Sequence, residues 1–238
     1  MHLYEGNLEK YHMTNQVKSR KRVVEHGEVF TAEREVKAMC DLVSDECLRI
    51  DSRFLEPACG NGNFLSEILA RKLDEVATKY KRSPADYEKN ALLALGSLYG
   101  VELLLDNVKE CRHRLFALWD ERYSRVIKKK DRKESVRDSA RYILEKNIIC
   151  GNALSLHEVD SAGQDTDRPI IFSQWAFVTG PMMKREDYTF EELLADEAEP
   201  QSGWEETMFD FTQKKEQEEG KLIKVYPPIP YWRLKEYE

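Results

Sequence analysis

The sequence has no C-x-x-C pair, although it holds five cysteines: Cys40, Cys47, Cys59, Cys111 and Cys150. Spaced in this way, and lying mostly in apolar periodic segments, they argue against a zinc site or a disulfide framework and fit buried thiols in a reducing compartment. No apolar run approaches the ~20 residues needed to span a bilayer, and the N-terminus lacks a signal-like hydrophobic region. The expectation is a soluble cytoplasmic protein with no membrane partner and no metal. Positive charge is also in short supply, since 37 Lys and Arg face 44 Asp and Glu, a net charge of −7. That balance argues against a protein that holds nucleic acid unaided. What the chain does have is enough material for a core. With 238 residues, 41% of them hydrophobic and 10% aromatic, it can bury one sizeable interior, so one domain with appendages is expected.

Charge divides the chain into three regions. Residues 1–25 are polar and carry the basic run Lys18, Arg20, Lys21 and Arg22. They read either as a solvated arm or as an extension that contacts phosphate or a partner. Residues 26–185 form the main domain. Residues 186–238 form an acidic C-terminal extension: between 186 and 219 thirteen acids face two lysines, a local charge of −11 that leaves +4 elsewhere. So acidic a segment repels phosphates. Interleaved Phe190, Leu193, Leu194, Trp204, Met208 and Phe211 predict that parts of it pack, either as a peripheral helical cap or as a surface that meets a basic protein partner or mimics DNA.

In the main domain, apolar periodicity predicts helices over 32–48, 64–80, 83–95, 106–126 and 134–145, and strands over 53–55, 98–103, 147–150 and 169–172. Ser83-Pro84 is a start signal, because proline is well tolerated in a helical first turn. The basic stretch KKKDRK (128–133) reads as a solvated turn, with a DNA-backbone contact as the alternative. Two helices separate the first strand from the second, and a crossover of that length still returns to a parallel neighbour. The fold class expected is α/β.

The organising stretch is FLEPACGNGNFL (54–65). An apolar strand runs into Glu56, then a turn with Gly60 and Gly62, then an amphipathic helix. Strand, glycine turn and helix in that order set backbone N–H groups and a helix N-terminus beside a ligand, and the glycines permit close approach. A carboxylate before the turn is unfavourable for a phosphate and favourable for a cationic amino-acid ligand.

This stretch resembles the D/E-P-A-C-G-S/T-G-N/G-F-L signature of amino-type (N6-adenine) DNA methyltransferases of restriction-modification systems, which bind S-adenosylmethionine (SAM). Three further pieces follow that family's order. HGEVFTAEREV (26–36) resembles the segment that closes over the methionine end of SAM, with Ala32 where the family usually has proline. YGVELL (99–104) resembles the second motif, and IICGNALSL (148–156) the third. The resemblance implies a Rossmann-like SAM-dependent methyltransferase fold with a mostly parallel seven-stranded sheet flanked by helices. It assigns cofactor contacts to Phe30, Thr31, Glu56, Ala58, Gly60, Gly62, Glu102 and Asn152: Phe30 and Thr31 closing the pocket, Glu56 facing the methionine ammonium, Glu102 the ribose and Asn152 the adenine edge. The function implied is DNA methylation at adenine N6, as a modification subunit in a restriction or anti-phage defence system.

The acceptor side departs from the pattern. The family carries D/N/S-P-P-Y/F/W after its fourth strand, where an amide or acid and a prolyl carbonyl accept the amino hydrogens and an aromatic ring stacks on a flipped-out base. Here the corresponding residues are Ser173-Gln174-Trp175-Ala176, so Ser173 and Trp175 are the candidate catalytic residues and both prolines are gone. The one diproline, Tyr226-Pro227-Pro228-Ile229, lies about fifty residues further on and is the weaker candidate. No stretch is long enough for a separate recognition domain, so DNA would be met with a separate specificity or partner subunit. Two alternatives stay open: a catalytically inactive SAM-binding protein acting as a regulatory or structural partner, and a methyltransferase with a non-DNA acceptor.

Overall fold

In a computed structural model of the chain, residues 18–26, 28–198 and 223–237 are described. Strands β1 (Phe54–Glu56), β2 (Leu98–Glu102) and β3 (Ile148–Asn152) lie side by side and parallel, with Phe54 opposite Leu98 and Gly100 opposite Ile148. Each parallel step is made by a pair of helices: α4 (Asn63–Tyr80) and α5 (Pro84–Gly96) between β1 and β2, α6 (Leu105–Val126) and α7 (Glu134–Asn147) between β2 and β3. Ser83 caps α5 by accepting from the Asp86 N–H, and Pro84 occupies its first turn. Among the described residues, three shorter helices precede the sheet: α1 (Arg20–His26), α2 (Glu33–Leu42) and α3 (Ser44–Leu48). The single helix expected over 32–48 is broken at Val43, and of its predicted apolar face only Val36 and Cys40 are buried, while Met39, Leu42 and Val43 are exposed.

Beyond β3 the sheet continues antiparallel through β4 (His157–Val159) and β5 (Asp165–Pro169). A second, antiparallel sheet follows: β6 (Ile171–Phe177), β7 (Met182–Thr189), β8 (Lys224–Val225) and β9 (Ile229–Pro230), with β8 and β9 both pairing with β7. The seven-stranded sheet implied by the resemblance is therefore corrected. Among the described residues there are sheets of five and four strands, and β1 stands at the end of the first with β2 as its one partner. The strand expected to follow as a fourth parallel member, β6, instead forms the hairpin with β7.

Side-chain alternation explains the two cores. All five residues of β2 are buried, Leu98 joining the main core and Tyr99 and Val101 a second one on the other face, as expected of a strand covered on both sides. The main core is built by α2 to α7, and Trp175, Met183, Tyr231 and Leu234 of the later segments enter it. The second core takes Ile170, Phe172, Phe190 and Leu193, so α8 (Phe190–Ala198) covers the opposite face. Thr189 and Glu192 form a capping box at its start, each accepting from the other's backbone N–H at 3.3 and 3.0 Å. The expected division at 185/186 falls inside β7. The C-terminal 3₁₀ segment Tyr231–Tyr237 is anchored by Tyr231 donating to the buried Glu88 at 2.7 Å. Trp204, Met208 and Phe211 lie outside the described residues, as does most of the acidic run. No helix among the described residues is long and apolar enough to cross a membrane.

Candidate functional site

At the carboxyl ends of β1, β2 and β3 lies a cavity of about 590 Å³, within the range of small-molecule sites. Open parallel sheets bind ligands at this end of their strands. Four separate pieces of sequence meet there: Glu28 to Thr31, Glu56 to Asn61 with Asn63 and Phe64, Glu102 to Leu104 with Asn107, and Gly151 to Leu154. Of the residues assigned to the cofactor, Phe30, Thr31, Glu56, Ala58, Gly60, Glu102 and Asn152 line this one cavity. Gly62 stands behind it as the N-cap of α4.

The glycine turn is shaped by neighbours. Gly60 has φ +52°, and a Cβ there would come within 3.2 Å of the Phe30 ring. Gly62 has φ +86°, and a Cβ would come within 2.7 Å of Cys111 Sγ. Both therefore need glycine for conformation and space. The segment bearing Phe30 is tied to the start of α4 by Asn63 Nδ2, which donates to the Thr31 carbonyl at 3.1 Å. Ala32, where the family has proline, holds φ −65°, the value a proline ring would impose.

Three carboxylates line the cavity, Glu28, Glu56 and Glu102, and among the described residues no lysine, arginine or histidine does so. Burial pushes the Glu56 carboxyl up from its ordinary value, an effect partly offset by the Ala58 backbone N–H. Glu102 is 9% exposed. Its Oε2 accepts from the Gly60 N–H at 2.9 Å and its Oε1 from the Leu104 N–H at 2.9 Å. The acid at the tip of β2 thus also organises the turn after β1. Asn61 donates to Glu110 at 3.1 Å, while its buried Oδ1 finds no donor among the described residues. Asn152 faces the cavity with its side chain engaged, Nδ2 donating to Asp165 at 3.0 Å and Oδ1 accepting from the Leu154 N–H at 3.0 Å.

The acceptor candidates lie elsewhere. Ser173 is 1% exposed and sits in the second sheet, donating to Asp187 at 2.7 Å and accepting from Arg185 Nε at 2.9 Å. Trp175 is 6% exposed and packs against Tyr142 and Tyr237, with ring centroids 6.1 and 6.4 Å apart. Neither lines the cavity, and the buried Trp175 ring has no free face for a base. The reason is topological: β6 joins the β7 hairpin and not the parallel sheet. The diproline, between β8 and β9, is also outside the cavity.

The cationic arm was misjudged from sequence in one respect, because part of it is consumed near the cavity. Arg22 pairs with Glu28 at 2.6 Å and with Asp106 at 2.5 Å, and Lys18 pairs with Glu110 at 2.6 Å. The Arg22 guanidinium holds Asp106 down to about 2. The signal available was the Asp106/Glu110 spacing, which puts both acids on one face at the start of α6. The basic turn at Lys129–Asp131 lies at the far end of α6. With 22 residues that helix is about 33 Å long at 1.5 Å per residue, so these lysines do not share a surface with the cavity. Compared with family models, curated proteins and solved structures, the chain matches none.

Proposed function

We propose that the cavity binds S-adenosylmethionine and that the chain is the cofactor-binding subunit of a methyltransferase acting on an adenine amino group of DNA, within a restriction or defence assembly. The observation that carries this reading is the charge of the cavity wall: among the described residues it has three carboxylates and no base, and only Glu28 of the three is paired with a base, Arg22, from outside the wall. Such a wall disfavours the phosphates of a dinucleotide or ATP and favours a ligand with cationic and hydroxyl groups. The glycine turn and the unsatisfied Asn61 acceptor fit a ligand with donors that approaches the backbone closely. In this reading Glu56 faces the ammonium, Glu102 the ribose hydroxyls, and Phe30 with Thr31 closes the methionine end. The cofactor when bound supplies an activated methyl group. The amine that accepts it would have to be held by another chain, because Ser173 and Trp175 are committed to the interior. That same commitment favours the second reading, a SAM-binding partner protein without catalysis of its own.

Calorimetry is expected to detect SAM binding, with ATP and NAD binding far more weakly. Glu102→Ala is expected to weaken SAM at least tenfold, since it removes the ribose acceptor and frees the Gly60 N–H. Equal affinity for ATP, or SAM binding untouched by Glu102→Ala, would defeat the assignment. Tritiated SAM is expected to leave duplex DNA unlabelled by this chain alone and to label it once a catalytic partner is present. No labelling with any partner would select the second reading.

The raised Glu56 carboxyl adds a pH test. A cationic ligand needs the ionised acid, so affinity rises with pH through the free protein's raised value and then levels. Titrations over about pH 4–8 should show proton release on binding on the acid side, and Glu56→Gln should remove both the slope and the release.

A further inference from the structure

The side chain that joins the acids of the cavity to each other is Asn107, in the first turn of α6 and 1% exposed. Its Nδ2 donates to Glu28 Oε1 at 2.6 Å and lies 3.4 Å from Glu102 Oε1, and its Oδ1 accepts from Lys18 Nζ at 2.6 Å. Glu28 is also held by Arg22, at 2.6 and 2.9 Å, and Arg22 reaches Asp106 through both of its terminal nitrogens, at 2.5 and 3.1 Å. One neutral amide therefore connects three pieces of chain: the α1 arm, the segment that runs from it into the cavity wall, and the tip of β2. A neutral donor suits the position, because two carboxylates flank it and a buried carboxylate left without donors is costly.

Helix α1 has seven residues, too few to persist alone in water. Val24 is 81% exposed and Val23 half-buried, so these two valines bury little apolar surface for it. Among the described contacts, those made by Lys18 and Arg22 to Glu28, Asp106, Asn107 and Glu110 hold it beside the cavity.

We propose that Asn107 is a positioning residue: it sets Glu28 and Glu102 for the ligand and couples their arrangement to the docking of the α1 arm beside the cavity. The proposal rests on the cavity being a ligand site, and linkage makes the coupling reciprocal, so ligand and arm stabilise each other's bound arrangement.

Hydrogen exchange by mass spectrometry on the full chain, without ligand, tests the arm. Asn107→Leu, close in size but without donors or acceptors, is expected to speed exchange across residues 20–30 about tenfold while the core helices stay protected. Asn107→Ser is the substitute variant if the leucine variant does not fold. Unchanged exchange in α1 would overturn the proposal whatever SAM does. Calorimetry tests the ligand half. SAM is expected to bind Asn107→Leu about tenfold more weakly, and to slow α1 exchange in the native chain but not in the variant. Arg22→Ala should weaken SAM several-fold in the native background and add nothing in the Asn107→Leu background. Additive losses would show that Arg22 and Asn107 act separately and would overturn the coupling. A native chain that binds no SAM would defeat the functional reading and the ligand half, and faster α1 exchange in the variant would still support the arm contact.

Discussion

Replacing Asp187 by alanine is expected to cost the fold about 3–5 kcal/mol, the range for breaking a buried ion pair from one side. Asp187 and Arg185 are 6% and 5% exposed. They meet through two contacts of 2.8 and 2.7 Å. Arg185 also donates to the Tyr142 hydroxyl at 2.7 Å, its guanidinium lies 4.3 Å from the Tyr226 ring centroid, and the Tyr226 hydroxyl reaches Asp187 at 3.3 Å. Removing the acid strands a cation in a space sized for the pair. Ser173→Ala removes two hydrogen bonds, each worth about 1 kcal/mol, so it should cost about 1–2 kcal/mol and should leave SAM affinity unchanged. Urea unfolding would measure both, as a shift of midpoint at constant slope. A native-like Asp187→Ala midpoint would show that the network does not hold the second sheet, and a SAM-binding loss in Ser173→Ala would return that hydroxyl to the cavity.

The second large effect is expected at Lys72, which is fully buried on α4. Its ammonium donates to the carbonyls of Ile50 and Ser52 and to Ser97 Oγ, tying the chain before β1 to the turn before β2. Burial pulls this amine down to about 7, well below its unfolded value of about 10.4. Lys72→Met keeps the length and removes the donors. Losing a buried cation stabilises, and leaving buried carbonyls unpaired destabilises by about 1–3 kcal/mol each. Near pH 8 the amine is largely neutral already, so the second effect wins, and a net loss of about 2–4 kcal/mol is expected. The pH dependence has a definite sign. Between about 7 and 10.4 the unfolded chain binds the extra proton, so native stability rises with pH across that window and levels above it. Lys72→Met should flatten that rise. A rise of the same size in the variant would assign it to other groups.

Much of the architecture was readable locally. The glycine turn and its helix, the Ser83-Pro84 start and the two-helix crossovers are set by residues close in sequence, so α4, α5 and α6 begin within a residue or two of their expected starts. The cavity lining was readable for the same reason. Glu56, Glu102 and Asn152 sit at the carboxyl ends of successive strands, and once those strands run parallel their tips must share an end. Asn107 belongs to no spaced pattern and Glu28 holds the variable position of its segment, so both were missed, and each matters through a partner 79 residues away in the chain.

The acceptor side was not readable. Arg185 and Asp187 are two apart on β7 and therefore face the same way, but that this face meets Ser173 follows from the β6–β7 register. Sequence alone determined where α4 to α7, the glycine turn and the strand-end carboxylates fall, because those depend on neighbours within a few residues. Tertiary structure decided which strands pair. Pairing places β6 in a separate sheet, turns Ser173 and Trp175 into interior packing, and leaves a cavity walled by acids, since long-range register depends on how whole faces bury and not on any one motif.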